Sequence, residues 1–250
     1  PTSKTQSFRD LLHECTVEHK WTKFGIDLMV GSPSDRVIDV REKMFIPNYL
    51  MGSFEGATMV VNDTLSYPLV LESEVVLELN SELNNPGEQS IFTPFVTAFA
   101  LLLLSIIVSL LQMANLNKVR PAKAYDTLLF GVAGIGGLVL FTLIFFSEHP
   151  ATSPNWNFAW LNIFALVAAV LFWVKSATRI VYFYHFINFA VITLFVLLWW
   201  LIPQELPIAT IPFSLSLLVR SGTNIYTKRN KKIKNSHFTS SKHMKAGWGQ

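Results

Sequence analysis

The polar segment SEHPATSPNWN holds the side chains best suited to chemistry. It places Glu148, His149, Asn155 and Asn157 beside Trp156, between two long apolar runs. A histidine in such a place can act as a base, shuttle a proton or contact a lipid headgroup. The alternative is a tight loop whose tryptophan anchors the chain at a membrane interface. The residue types alone leave both interpretations open.

A second candidate lies in the segment FGIDLMVGSPSDR. Its charged residues are Asp27 and, in the turn SPSDR, the adjacent Asp35 and Arg36. They can form an ion pair or orient a catalytic group elsewhere in the protein. A solvated surface turn is the commoner explanation for charged residues in such a sequence.

Histidines elsewhere are weaker candidates. His185 and Asn188 lie three residues apart on one helical face inside an apolar run, where packing or snorkelling is favoured over catalysis. His13 and Cys15 are two residues apart, so on a helix they point in different directions and do not form a nucleophile with its base. Metal-ligand spacings such as HExxH or paired CxxC are absent from the sequence, and we expect neither a metal nor a cofactor.

Composition and charge distribution indicate whether this chain lies in water or in a membrane. Of the 250 residues, 51% are hydrophobic and 15% are charged, which is too apolar for an ordinary soluble domain. Residues 1–90 carry 14 acidic and 7 basic side chains, whereas the remainder carries 3 acidic and 13 basic ones. The basic residues lie in short loops between apolar runs and in a tail, a pattern of membrane topology rather than of nucleic-acid binding.

The first ninety residues predict the end of an α+β domain. Ser7 and Asp10 form a capping box for a short helix, and a second helix ends before Gly31. A helix interrupted at Pro47 follows, and then strands at Thr58–Val61 and Tyr67–Leu79. We divide the chain into a partial domain at 1–84, a linker at 85–90, a membrane domain at 91–226 and a basic tail at 227–250.

Five apolar runs predict membrane-spanning helices. A run of about 20 apolar residues crosses a hydrocarbon core of about 30 Å. The last run is shorter and contains two prolines, and it crosses only if it extends toward Tyr226 with Arg220 snorkelling. Glycines in the second run predict close helix packing. The runs are Ile91–Met113, Leu128–Phe146, Phe158–Val174, Ile180–Ile202 and Leu206–Val219.

The distribution of basic residues orients these spans. Lys118, Arg120 and Lys123 fall on the same side as Lys175 and Arg179, while the opposite loops hold no lysine or arginine. The positive-inside rule therefore predicts a cytoplasmic C terminus and an extracytoplasmic N-terminal segment. The fold class expected is an all-α membrane protein, a five-helix bundle preceded by a partial α+β domain.

Several collinear segments resemble the Lnb-type lipoprotein N-acyltransferases. They are TQSFRDLLHE, WTKFGIDLMVGSPSDR, EKMFIPNYLMGSFEGA and FFSEHPATSPNWNFAWLN. The resemblance implies a periplasmic papain-like domain followed by a multi-helix domain in the bacterial inner membrane. It covers nearly the whole chain but begins after the part expected to hold the catalytic cysteine and histidine. Cys15 falls outside that motif and does not inherit the role.

The activity implied by the resemblance is acyl transfer. A cysteine thiolate takes an acyl chain from a phospholipid as a thioester and passes it to the N-terminal cysteine amine of a lipidated lipoprotein. On this interpretation the polar loop lines the substrate site and faces the SPSDR turn across a lipid-accessible groove, and no residue of this chain is the nucleophile. The competing hypothesis is a non-catalytic membrane anchor or a transporter component, since ionisable groups are sparse in the spans.

Overall fold

The computed structural model describes residues 5–61, 65–77, 91–114 and 119–246. Within these, residues 119, 120 and 231–246 are described as helical backbone only. Lys118, the predicted linker 85–90 and the side chains of the basic tail beyond residue 230 lie outside the described parts.

The segment before the bundle is a set of short helices. Ser7 caps the first one as predicted: its Oγ accepts the backbone N–H of Asp10 at 3.1 Å, and the Asp10 carboxylate accepts the N–H of Ser7 at 2.8 Å. The predicted break before Pro47 is confirmed. In chain order the helices are α1 (Phe8–Cys15), α2 (Lys20–Met29), a 3₁₀ turn (Ser32–Asp35), α3 (Val40–Lys43) and α4 (Pro47–Glu55).

A hairpin of two short strands follows. β1 (Thr58–Val61) pairs antiparallel with β2 (Leu65–Pro68), with Thr58 opposite Pro68. The first predicted strand is confirmed. The second, Tyr67–Leu79, is wrong beyond Pro68, because residues 69–77 are not a strand and Leu79 lies outside the described residues. Pro68 has no N–H to continue a ladder, and β1 is too short to pair with more of the chain.

The remainder is a helical bundle. Three helices in the described parts are long and apolar enough to cross a membrane, Pro94–Ala114, Pro121–Phe146 and Lys175–Leu197. The predicted five-span bundle is therefore confirmed in part. The predicted third span is a 3₁₀ turn (Trp156–Ala159) and a short helix, while the fifth lies in a helix that continues past Tyr226. The bundle helices are α5 (Pro94–Ala114), α6 (Val119–Phe146), α7 (Ile163–Leu171), α8 (Thr178–Leu197) and α9 (Thr210–Ala246).

Glycines of α6 bring the short α7 into contact with it. A Cβ on Gly134 would overlap the backbone of Leu166, and one on Gly137 would overlap the backbone of Asn162. Because only glycine permits this approach, the predicted role of these glycines in packing is confirmed. The core beside this contact is formed by side chains of α6, α8 and α9, among them Phe130, Leu140, Ile192 and Leu217.

Candidate functional site

A buried arginine ties α1 to the end of α2. Arg9 is fully buried, and its guanidinium donates to the carboxylate of Asp27 at 2.9 Å and to that of Asp35. It also donates to the carbonyls of Val30 and Gly31, at 3.2 and 3.3 Å. Burial by itself lowers the pKa of Arg9, but the hydrogen bonds to Asp35 and Asp27 raise that pKa above its ordinary value. Arg9 is therefore a fixed positive charge inside this segment.

His13 shares a carboxylate oxygen with Arg9. Its Nε2 lies 2.7 Å from Oδ1 of Asp27, the same atom that accepts from Arg9. Arg9 and His13 are four residues apart, on one face of α1, so both reach the carboxylate of Asp27 in α2. Sequence reasoning weighed His13 only against Cys15, which is exposed. The spacing of Arg9 and His13 on a short amphipathic helix is the sequence pattern that could have indicated a shared acidic partner.

His13 faces a polar cavity of about 420 Å³ where α1 and α2 meet the bundle. The cavity also receives Lys20 and Lys23 from α2, the first residues of α5 and the segment before α9. Among the described residues neither lysine forms an ion pair. We call this the interfacial cavity; its lining is Arg9, His13, Lys20, Lys23, Phe24, Asp27, Thr93–Phe95 and Glu205–Ala209.

An apolar groove of about 500 Å³ adjoins the interfacial cavity. Phe24 of α2 lines both, so the charged cavity and the space between α5 and α6 meet at this side chain. Leu128 and Val132 on the lipid-facing side of α6 line the groove and are 69% and 62% exposed. We call this the α5/α6 groove. It has the shape and polarity of a site for a hydrocarbon chain.

The polar loop 147–157 is bound to the end of α2. Asn155 Nδ2 donates to the carbonyls of Leu28 and Met29 at 2.8 and 3.1 Å. Asn157, fully buried, donates from its Nδ2 to the carbonyls of Asp27 and Leu28 at 3.2 and 3.3 Å. These carbonyls are among those that the end of α2 leaves without helical partners, so the loop completes that helix end.

Backbone contacts continue this junction to the SPSDR turn. The N–H of Gly31 donates to the carbonyl of Ala151 at 2.7 Å, and that of Ser32 donates to the carbonyl of Pro154 at 3.0 Å. A Cβ on Gly31 would overlap the carbonyl of Pro154, so glycine permits the approach. The loop and the turn therefore touch directly. A cavity of about 560 Å³ also opens beside these hydrogen bonds, lined by Pro33, Ser34 and Arg36 of the turn and by His149, Pro150 and Ala151 of the loop. The expected groove between loop and turn therefore has a structural counterpart, and its use by a lipid stays a prediction.

The predicted site residues occupy different environments. Glu148 and His149 are exposed, and Trp156 is 43% exposed, with its backbone N–H donating to Gln204 Oε1 at 2.8 Å. His149 borders a cavity of about 560 Å³ together with Phe8, Phe45 and Pro33. Their role in lining a substrate site stays a prediction.

Asp35 and Arg36 do not pair with each other. Asp35 accepts from Arg9 and also from the backbone N–H of Glu205 at 3.1 Å, which ties the turn to the segment before α9. Arg36 instead pairs with Glu42 on the surface. The orienting role stays a prediction for both residues. Of the two, only Asp35 has contacts that link it to buried Arg9 and to the segment before α9. Within the described ranges no group of three or more His, Cys, Asp or Glu residues has the arrangement of a metal site.

A second charged cluster lies inside the bundle, far from the loop. Arg220 is fully buried and does not snorkel, contrary to the sequence prediction. Its Nε donates to Asp126 Oδ1 at 2.6 Å, and its other nitrogens donate to Ser109 Oγ at 2.8 Å and Gln112 Oε1 at 2.6 Å. Asp126 also accepts from Asn224 Nδ2 at 2.8 Å. Sequence reasoning passed over Asp126, although a carboxylate within an apolar helix signals a partner.

His185 packs in the bundle interior. It is 3% exposed, its ring contacts Phe130 and Phe172, and its Nδ1 lies 3.3 Å from Ser221 Oγ. Asn188 Nδ2 donates to the same hydroxyl at 3.0 Å. Of the two roles expected for His185, packing is confirmed and snorkelling is wrong.

Comparison with known proteins identifies the bundle. Neither the curated proteins nor the solved structures give a significant match to the chain. The sequence model of the Lnb transmembrane domain matches residues 86–232, more than half of the chain, and includes all five bundle helices α5–α9 up to residue 232. The match takes in the polar loop, the bundle residues of the α5/α6 groove and the buried Arg220–Asp126 pair. The chain belongs to the Lnb transmembrane domain family.

Proposed function

We propose that this chain is the lipid-holding part of a lipoprotein N-acyltransferase. The observation that carries the proposal is that the interfacial cavity and the α5/α6 groove lie side by side, with Phe24 lining both. A phospholipid has the same division, a charged headgroup joined to apolar chains. Lys20 and Lys23, which have no acidic partner among the described residues, offer charge to the phosphate, while the groove offers an apolar path to one acyl chain.

The orientation proposed follows the positive-inside rule. Lys175 lies just before α8 and Arg179 in its first turn, at the end of the bundle opposite the polar loop, and we assign that end to the cytoplasmic side. The loop and α1–α4 then lie on the periplasmic face of the bacterial inner membrane. This places the interfacial cavity where lipoproteins are modified on the outer leaflet.

The reaction proposed proceeds through a thioester. A cysteine thiolate supplied by a part of the protein upstream of Pro1 attacks the ester carbonyl of the phospholipid, and the released lysophospholipid alkoxide takes up a proton. The α-amine of the lipoprotein's N-terminal cysteine then attacks the thioester carbonyl, loses a proton and regenerates the thiolate. Dividing the transfer in this way gives two easier steps.

The residues of this chain position the phospholipid for the reaction. The groove holds the acyl chain along α6, and the cavity holds the headgroup next to His13. Because both parts of the lipid are held in place, its ester carbonyl does not have to meet the thiolate by diffusion in the membrane plane. This positioning makes a large contribution to the rate. The Arg9–Asp27 pair and the docked loop keep α2, and therefore Phe24, in a fixed relation to the bundle.

The test fills the groove from its lipid-facing side in the full-length protein. Val132→Trp places an indole in the α5/α6 groove, and Leu138→Trp is the matched control, a 41% exposed position of the same helix that does not line the groove. We expect N-acylation of a lipoprotein, measured by mass spectrometry of its N-terminal peptide, to fall at least about tenfold with Val132→Trp and to remain with Leu138→Trp.

The competing function is a non-catalytic anchor that positions a periplasmic domain. The hydrogen bonds from Asn155 and Asn157 to α2 favour it, since they are what an anchor needs. It predicts that Val132→Trp, present in the membrane at normal abundance, leaves acylation unchanged. That result would reject the acyl-holding role of the groove.

A further inference from the structure

The bundle has a second polar cavity at the end that carries its basic residues. Its volume is about 310 Å³, and it opens between α6, α8 and α9. Lys123 and Asp126 of α6, His185 of α8, and Asn224 and Lys228 of α9 line it. We call it the basic-end cavity. It lies about 35 Å from the polar loop, the length of α6 between Lys123 and Phe146 at about 1.5 Å per residue.

Among the described residues, the two lysines of this cavity have no acidic partner. The Lys123 ammonium lies 4.5 Å from the ring centre of Trp173, and the Lys228 ammonium donates to the backbone carbonyl of Thr178. In the described parts of the chain neither forms an ion pair. Asp126 is the only carboxylate among the described residues that line the cavity, and it already accepts from Arg220 and Asn224. The lining therefore has an excess of positive charge.

One part of the cavity wall is apolar. Leu171, Phe172 and Val174 at the end of α7 line it, together with Val181 of α8. A small soluble anion has no apolar part to pack against such a wall, whereas a lipid can pack its glycerol and upper acyl carbons there. Basic pockets between helices, next to the membrane surface, are a common way to bind anionic headgroups.

We infer that the basic-end cavity binds the phosphodiester headgroup of an anionic phospholipid from the adjoining leaflet. Lys123 and Lys228 contact the phosphate, and the apolar wall receives the glycerol backbone. This lipid is distinct from the acyl donor, since it occupies the opposite end of the bundle from His13. Its binding would hold α6 and α9 together beside the Arg220–Asp126 pair.

The test compares two double variants of the full-length protein in detergent. Lys123→Gln with Lys228→Gln removes the cavity charges, whereas Lys175→Gln with Arg179→Gln removes the same charge from the same end without touching the cavity lining. Native mass spectrometry counts bound phosphatidylglycerol against phosphatidylcholine. We expect the unaltered protein and the control to retain phosphatidylglycerol preferentially, and the cavity variant to lose affinity about tenfold or more.

Three outcomes would overturn the inference. One is an equal loss in both double variants, which indicates attraction to net charge alone. Another is equal retention of the two lipids by the unaltered protein. The third is displacement of phosphatidylglycerol by glycerol 3-phosphate at the same concentration, which assigns the cavity to a soluble anion. If the double variant is too unstable to purify, single variants replace it. Lys228→Gln, at an exposed position, is then compared with Lys175→Gln for retention of phosphatidylglycerol.

Discussion

The buried Arg220–Asp126 pair allows a sharp prediction about stability. Arg220 contacts both oxygens of Asp126, at 2.6 and 3.0 Å, and both side chains are nearly inaccessible to solvent. Replacement of Arg220 by methionine leaves the carboxylate with the Asn224 amide as its remaining described side-chain donor. It also leaves Ser109 and Gln112 without the guanidinium.

The expected cost of Arg220→Met is about 3–5 kcal/mol in the free energy of unfolding, because an unpaired charge is left in a low-dielectric interior. Asp126→Asn leaves the guanidinium without its counter-charge and should cost a similar amount. The double variant removes both charges, so its cost should be smaller than the sum of the two single costs by about 1–3 kcal/mol.

The assay is unfolding of the purified protein in mixed micelles with increasing SDS, followed by tryptophan fluorescence. Arg229→Met, at an exposed position of the same helix, is the control and should change the unfolding free energy by less than about 0.5 kcal/mol. Single costs that add to the cost of the double variant within about 0.5 kcal/mol would refute the pairing.

Two further predictions concern the contacts that hold the fold together. Asn157→Ala should destabilise the docked loop by about 1–3 kcal/mol, because it removes a donor from buried carbonyls at the end of α2. Amide hydrogen exchange at the end of α2 and in the loop should accelerate in this variant. The control, Trp156→Ala, should leave these exchange rates unchanged. Equal exchange in the two variants would contradict the docking role. Gly134→Val should cost at least about 1–3 kcal/mol by forcing α6 from α7, whereas Gly131→Ala, whose new Cβ would lie 4.0 Å from Ala169, should be tolerated. A tolerated Gly134→Val, measured in the same SDS assay, would show that the close approach is not needed.

Local patterns predicted much of the secondary structure. The capping box at Ser7, the end of α2 before Gly31 and the break at Pro47 depend on neighbouring residues only, and all three are confirmed. The strand predicted beyond Pro68 failed for the opposite reason. A β-branched run forms a strand only when a partner strand is available, and partners are a matter of tertiary structure.

The candidate site was predicted less well. The loop 147–157 was singled out from its composition, and it does meet the extramembrane segment. The residues that line the interfacial cavity, which the loop does not reach, were not predicted. His13, Lys20 and Lys23 come from α1 and α2 and face the start of α5 only after folding. Their significance depends on distances between elements far apart in the chain.

The sequence by itself determined that this is a membrane protein, and it predicted one side of the membrane for the basic residues after residue 90, since hydrophobicity and charge are properties of composition and order. Only the tertiary structure decided how polar residues within the apolar runs are used. Arg220 looked like a snorkelling residue because its own helix offers no counter-charge nearby, yet Asp126 of another helix receives it in the interior. A side chain's cost of burial depends on its partners, and these partners are brought together by packing across the bundle.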